Sequence, residues 1–348
     1  MTLGALLIGM NEYSGLLRAA ISDAGNEHRM GSHEAPPAIL SIYMGDYLNE
    51  ILDAIETAKK FTDKTLSTIN HGIEGLPKVM KDISDRNRTS PVAFTGNKFE
   101  LRALGSSANG SDAAKVMNML CAYGYQELIK RLETKTGDVK KNALVVLKDV
   151  LKETKGIRFE GNNYDDSWKK EAKKRKLFVV DTTPEALKYN LDKKCIALFE
   201  SLNILTKREL ESRVDIKLDA YSNTKCIEYR LAIDIARRQI MPAILRQLNE
   251  LGGANAHASA ITLNSIGIQH DFKLLEACYS KIQTKVDYLK KFIVKIEAED
   301  NSYERAYTIA TKGSEFLASL REDVDVAEGY VSDAFWPLPT YDELLLSI

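Results

Sequence analysis

Residues 26–37 read Asn-Glu-His-Arg-Met-Gly-Ser-His-Glu-Ala-Pro-Pro. They follow an apolar segment, 3–24, whose apolar side chains recur at helical spacing, so a helix is predicted there with Gly25-Asn26 as its stop. Pro36-Pro37 cannot continue a helix, and Glu34 is therefore expected in an extended turn. The early chain is predicted to be a buried helix that delivers a polar motif.

Two further polar segments share the character of this motif. They are Asp-Arg-Asn-Arg-Thr-Ser at 85–90 and Lys-Phe-Glu-Leu-Arg at 98–102. Each of the three segments places cations beside an isolated carboxylate in a turn-rich setting. That balance is expected where a protein holds an anionic substrate, nucleotide phosphates and a divalent metal together.

The intervening sequence predicts an α+β fold with a few antiparallel strands plus helices. Strands are expected at 38–44, 91–94 and 99–103, the last two joined by a hairpin-like turn. Alternation along the last strand puts Glu100 and Arg102 on one face. Residues 46–82 separate these pieces without obvious chemistry and are interpreted as an insertion.

Beyond Thr183 the sequence is almost wholly helical. Long amphipathic segments at 206–249 and 275–296 are expected to pair as an antiparallel helical hairpin joined near Gly252-Gly253. We therefore predict two domains: residues 1–180, carrying the polar motifs, and residues 181–348, an all-α extension.

The charge balance argues against a bulk electrostatic partner. Lys plus Arg number 48 and Asp plus Glu number 49, so no nucleic-acid partner is expected. The basic run at 169–176 lacks interleaved aromatic residues and is interpreted as a solvated helix face. The four scattered cysteines predict reduced core thiols rather than a metal site.

The apolar start of the chain does not predict a membrane anchor. It lacks a basic leading region, and Asn11-Glu12 interrupt it before the roughly 20 residues that a bilayer requires. No membrane partner and a cytoplasmic location are expected. The same start is also consistent with a sequence whose first residue lies in the middle of a buried helix.

The residues themselves support only a general site. Arg29, Arg88 and Arg102 could converge on a carboxylate or phosphate, because the guanidinium donor fork matches both. Glu100 suits a hard cation such as Mg2+, and Glu34 could act as a base. Taken alone, each of these residues is more simply explained as a charged surface side chain than as part of a catalytic site.

The motifs together resemble the glutamine synthetase family. In order, the three segments and Gly-Ser-Ser-Ala-Asn at 105–109 are similar to the second half of that family's catalytic domain. The insertion, the Arg-Phe-Glu-Gly-Asn-Asn-Tyr stretch at 158–164, the helical extension and Trp-Pro-Leu-Pro at 336–339 resemble the type III branch. The resemblance covers nearly the whole chain.

The resemblance implies specific roles for six residues. Arg29 matches an arginine that binds the glutamate carboxylate, and Arg102 one that contacts the phosphoryl group and glutamate. Glu34 matches the flap glutamate that takes a proton from ammonium, and Arg88 an arginine that binds ATP phosphates and stabilises transferred charge. Glu100 matches a metal ligand, and Lys98 a further phosphate contact.

The family reaction is implied with these roles. ATP phosphorylates L-glutamate to γ-glutamyl phosphate, and ammonia then displaces phosphate to give L-glutamine. The family needs Mg2+ or Mn2+, and its sites form between subunits of a ring, a dodecamer in this branch. His28 and His33 are not expected to be metal ligands, because the family's metal histidine belongs upstream.

The family's N-terminal domain and earlier metal ligands have no counterpart in this sequence. We therefore expect the chain to be the C-terminal portion of a longer enzyme, inactive alone. The alternative is a non-catalytic, synthetase-derived helical module for oligomerisation or regulation. A related phosphotransferase acting on another amine or acid is a third reading.

Overall fold

The computed structural model describes residues 1–30, 39–59, 61, 68–69, 79–80 and 90–346. These residues are mostly helical, with a small three-stranded sheet, which is consistent with the predicted α+β class. The strands are β1 (Ile42–Tyr43), β2 (Thr68–Ile69), β3 (Val79–Met80), β4 (Val92–Phe94) and β5 (Phe99–Leu101).

The helices of the first part of the chain are α1 (Thr2–Ala20), α2 (Ala24–Met30), α3 (Asp46–Thr57), α4 (Ser111–Glu133), α5 (Val139–Glu153), α6 (Asp166–Lys174), α7 (Thr183–Lys188) and α8 (Lys193–Ser201). Those that follow are α9 (Lys207–Ile235), α10 (Met241–Ala260), α11 (Ile266–Glu297), α12 (Ser302–Thr308), α13 (Ser314–Glu328) and α14 (Tyr341–Leu346). Within the described ranges, none of these helices is both long and apolar enough to cross a membrane.

The three-stranded sheet has the order β1-β4-β5. β4 and β5 are antiparallel, with Ala93 opposite Glu100, as predicted. β1 runs parallel to β4, with Ile42 opposite Val92, so the expectation of purely antiparallel strands was wrong. The long segment between β1 and β4 explains the difference, because a parallel pair needs a long crossover connection. The shorter pair β2-β3 is antiparallel.

The predicted stop at Gly25-Asn26 is also wrong, because both residues lie inside α2. The carboxylate of Asp23 accepts the backbone N–H of Asn26 at 2.8 Å and so caps a new helix. The Asn26 side chain meanwhile donates to the carbonyl of Ile21 at 2.9 Å. A side chain that normally ends a helix here joins two helices.

The core around the sheet depends on the close approach of α1 and α4. A Cβ atom at Gly9 would lie 2.3 Å from the carbonyl oxygen of Leu120, and one at Gly124 would lie 2.0 Å from that of Ala5. Only glycine allows backbones to come this close. Both helices bury large apolar side chains at the contact, among them Leu6, Leu7, Met10, Leu17, Val116, Met119 and Leu120.

The chain forms two compact units, Met1–Val214 and Asp215–Ile348. This division reflects packing alone. The predicted domain boundary between residues 180 and 181 concerns the polar motifs and the helical extension, and it stays a prediction.

The second unit contains the predicted antiparallel hairpin. α10 packs on α11, and ion pairs join Arg230 to Glu297 and Arg237 to Asp287, so residue numbers rise on one side as they fall on the other. Residues 261–265 make the connection, whereas Gly252-Gly253, predicted to do so, lie within α10.

A π-helical segment, Ile309–Gly313, links α12 to α13 in this unit. The buried Tyr229 hydroxyl donates to the carbonyl of Ile309 at 3.1 Å. A Cβ atom at Gly313 would lie 2.4 Å from that hydroxyl. The tyrosine therefore occupies the space beside the widened turn and satisfies a carbonyl there.

Replacing Gly124 by alanine should destabilise the protein by about 1–3 kcal/mol, because the new methyl group must push α1 from α4. Urea unfolding followed by circular dichroism measures the change. Gly253→Ala is the matched control: the position is exposed within α10 and has no neighbour within 4 Å of an added Cβ. It should stabilise by roughly 0.5–1 kcal/mol. A free energy of unfolding for Gly124→Ala equal to that of the wild-type protein would contradict the close helix contact.

Tyr229→Phe should cost about 0.5–1.5 kcal/mol, since the buried Ile309 carbonyl loses its donor. Tyr288→Phe is the control: its ring packs on Phe316, but its hydroxyl has no partner within the described ranges. The same urea measurement should place this control at wild-type stability. Two variants of equal stability would speak against the Tyr229 bond.

Candidate functional site

The guanidinium group of Arg29 lies against the chain that follows β5. Its Nη1 donates to the carbonyl of Leu104 at 3.0 Å and reaches the Asn26 Oδ1 at 3.5 Å. Its Nη2 lies 3.5 Å from the carbonyl of Arg102. The predicted glutamate-binding arginine is thus seated beside the segment that carries Arg102.

Asn26 fixes this arrangement from inside. Its side chain is 1% exposed, and its Nδ2 donates to the carbonyls of both Ile21 and Ala103 at 2.9 Å. The two acceptors belong to the end of α1 and to the segment after β5. A buried amide that satisfies two backbone carbonyls is costly to replace, since each carbonyl would otherwise lose its donor.

Lys98, Glu100 and Arg102 form a charge cluster on and beside β5. Lys98 Nζ lies 3.1 Å from Glu100 Oε1, and Arg102 Nη2 lies 3.0 Å from Glu100 Oε2. Hydrogen bonds from Lys98 and then Arg102 are the largest causes that hold the pKa of Glu100 below its ordinary value. The predicted common face of Glu100 and Arg102 is confirmed by this contact.

The structure therefore joins four of the six predicted residues. Arg29 contacts the backbone of Arg102, and the Arg102 side chain is paired through Glu100 with Lys98. The remaining two, Glu34 and Arg88, lie outside the described residues. Their predicted roles stay predictions.

The described residues do not by themselves make a divalent-metal site. Among them, no group of three or more His, Cys, Asp or Glu side chains could hold an ion. Glu100 contributes a single carboxylate, and it already lies between two cations. A metal needs several oxygen ligands, and these cations oppose its approach.

Two further carboxylates shape the surroundings and were not singled out from the sequence. Glu27, next to Asn26 on α2, accepts the backbone N–H of Thr183 at 2.9 Å. Glu160 accepts the backbone N–H groups of Met44 and Gly45 at 2.8 and 3.1 Å, and burial raises its pKa. Glu27 lies within the motif at 26–37 and Glu160 within the stretch at 158–164, so both belong to segments identified from the sequence. Their partners are more than 100 residues away in sequence, and no local pattern identifies them.

The pKa of the Glu100 carboxyl group should lie below 4.5 and rise in both Lys98→Gln and Arg102→Gln variants. The charged form is stabilised in the folded state, so its contribution to stability is present above the ordinary value and is lost as pH falls through the lowered one. Carbon-13 NMR titration of the carboxyl group measures this. Lys115→Gln, at a separate pair with Asp112, should leave the titration unchanged. A Glu100 pKa that is the same in Arg102→Gln as in wild type would show that Arg102 does not stabilise the Glu100 carboxylate.

Comparison with known proteins finds similar sequences along the chain. Residues 142–259 match the family model described as glutamine synthetase C-terminal domain. A glutamine synthetase of Bacteroides fragilis (strain YCH46) is 34% identical over 359 residues, covering 98% of this chain and 49% of that protein.

Two more relatives agree. A type-3 glutamine synthetase of Dictyostelium discoideum is 32% identical, over 99% of this chain and 48% of that protein. A glutamine synthetase of Butyrivibrio fibrisolvens is 31% identical, over 99% of this chain and 49% of that protein. The chain thus spans about half the length of the curated relatives that it matches. Over nearly its whole length the chain is therefore similar to glutamine synthetases, as its motifs predict, a type-3 enzyme among them, and residues 142–259 match the C-terminal domain of that family.

Proposed function

We propose that this chain is the C-terminal part of a glutamate-ammonia ligase that converts ATP, L-glutamate and ammonia to L-glutamine, ADP and phosphate. The observation that carries the proposal is the seating of Arg29 beside the Lys98-Glu100-Arg102 cluster. The predicted carboxylate-binding and phosphate-binding cations thereby share one small region. The names of the relatives support the same reaction.

Arg29 retains donors for a substrate carboxylate. Its Nη1 donates to the Leu104 carbonyl and reaches the side-chain oxygen of Asn26, and its Nη2 reaches the Arg102 carbonyl. Within the described ranges, no acceptor engages Nε or the remaining Nη2 hydrogen. These two N–H groups form the fork that binds a carboxylate in two parallel hydrogen bonds. The described residues thus hold the half-buried side chain by one edge only.

Arg102 and Lys98 are proposed to hold phosphate oxygens. In the first step a carboxylate oxygen of glutamate attacks the γ-phosphorus of ATP, which forms γ-glutamyl phosphate and releases ADP. Negative charge on the transferred phosphoryl group is stabilised best by fixed cations at this point. An incoming phosphate would compete with Glu100 for both cations.

Ammonia then attacks the acyl carbon and displaces phosphate. Glu34 is proposed to take the proton of ammonium, and Arg88 to bind ATP phosphates and stabilise transferred charge. Both roles rest on the resemblance alone.

Mg2+ or Mn2+ remains part of the proposal, with Glu100 as one ligand. The described residues fit no complete ion site, so no step is assigned to the metal. Completing that site requires ligands from beyond the described residues. We likewise propose assembly into a ring, a dodecamer by resemblance, and a cytoplasmic location.

A second candidate function is a non-catalytic helical module for oligomerisation or regulation. The second unit favours it, because its described residues build a helical bundle without strands. Measuring catalysis decides between the two.

Formation of γ-glutamyl hydroxamate from glutamate, ATP and hydroxylamine with Mg2+ should occur when the chain is joined to the part of the Bacteroides fragilis relative that it does not cover. The chain alone should be inactive. Arg29→Gln and Arg102→Gln should each lower kcat/KM by roughly a hundredfold, because each removes a charged contact to the transition state. Glu34→Ala and Arg88→Ala should abolish product.

Arg131→Gln is the matched control, since that arginine pairs with Glu153 between α4 and α5. It should retain activity within about twofold of the unsubstituted protein, as expected for an exposed ion pair. A joined protein that is folded and oligomeric but makes no hydroxamate would favour the helical module.

A further inference from the structure

α2, the seven-residue helix that carries Arg29, is too short to be stable alone and must be held by tertiary contacts. Asn26 fixes one side of it to the carbonyl of Ala103. The other side is fixed by Glu27, whose Oε1 accepts the backbone N–H of Thr183 at 2.9 Å. Thr183 begins α7 and lies within the region that matches the C-terminal domain.

The Glu27 contact is partly buried and electrostatically supported. Thr183 is fully buried, and the nearby Arg18 is only 2% exposed. Burial lowers the pKa of Arg18 to about 10, while the negative charge of Glu27 is the largest influence opposing that shift. A hydrogen bond to a carboxylate is stronger in such surroundings than at an exposed surface.

We propose that Glu27 is a positioning residue for glutamate binding: it ties α2 to the C-terminal domain through Thr183, and this tie keeps the Arg29 fork in place. The inference rests on the proposed function. It gives the first helix of the extension a role in substrate affinity, although that helix supplies no group that touches substrate. A small displacement of a positioned group is enough to weaken binding strongly.

A single substitution can remove the hydrogen bond between Thr183 and Glu27. Thr183→Pro removes the backbone N–H that donates it, at a position whose backbone suits proline. Thr183 is the first residue of α7, where proline is tolerated, and Thr182 has φ −114° and ψ 153°, the extended backbone preferred before proline. The capping bonds between Thr182 and Glu185 do not use the Thr183 N–H.

Thr183→Val is the matched control. It keeps the N–H and nearly the shape of the side chain, and it removes only a buried hydroxyl that has no hydrogen-bond partner in the part of the chain that the structure describes. Glu27→Ala removes the acceptor instead. Because the Glu27 charge also supports the buried Arg18, Glu27→Ala removes more than this bond. If the two groups act through one bond, the double variant Glu27→Ala with Thr183→Pro should be no worse than Glu27→Ala alone.

Hydrogen exchange measured by mass spectrometry on this chain tests the tie without catalysis. Amides of residues 24–30 should exchange roughly tenfold faster in Thr183→Pro and Glu27→Ala than in wild type. Thr183→Val should match wild type. Unchanged exchange in Thr183→Pro would overturn the inference.

Kinetics of the joined protein test the positioning role. In Thr183→Pro the KM for glutamate should rise roughly tenfold, with kcat and the KM for ATP within about twofold of wild type. Faster exchange with an unchanged KM for glutamate would reduce Glu27 to a structural residue and overturn the inference. Faster exchange in a protein that makes no hydroxamate would instead reject the proposed function, while the tie between Glu27 and Thr183 would stand.

Discussion

The direct contact of two backbones at Gly9 and Gly124 is the constraint on which the first unit depends. It brings α1 against α4 so closely that the pair forms the centre of the apolar core. Because α1 is fixed, the carbonyl of Ile21 at its end is also fixed, and the Asn26 side chain donates a hydrogen bond to it. Asn26 lies in α2 and also contacts the carbonyl of Ala103 and the guanidinium group of Arg29, so these groups are held in place with it.

The charge cluster beside β5 holds two cations close together around one carboxylate. Glu100 occupies the donors of Lys98 and Arg102 and prevents two cations from repelling each other. It is exposed enough to yield to a stronger partner, since 34% of its side-chain surface is accessible. The deeply buried Arg18 is the opposite case: it serves structure and is sealed from ligands.

Local patterns predicted the features that depend on local physics. Helical periodicity located α1 and α11, and the turn at 95–97 between the last two predicted strands indicated the β4-β5 hairpin, where Gly96 has φ +95°. Strand alternation predicted the common face of Glu100 and Arg102. Residues distant in sequence decided the rest. The parallel pairing of β1 with β4 and the bond from Glu27 to Thr183 leave no local signal, because each forms only when the core brings remote segments together.

A π-helical segment at Ala236–Ile240 joins α9 to α10 into one long helix, just before Pro242. Buried side chains lie on both sides of this segment, among them Tyr229 and Ile233 before it and Ile244 and Leu248 after it. A π turn holds one residue more than a regular α-helical turn. This helix is therefore one residue longer than a regular helix with the same buried stripe, and a relative without the π turn would align to it only with a one-residue gap.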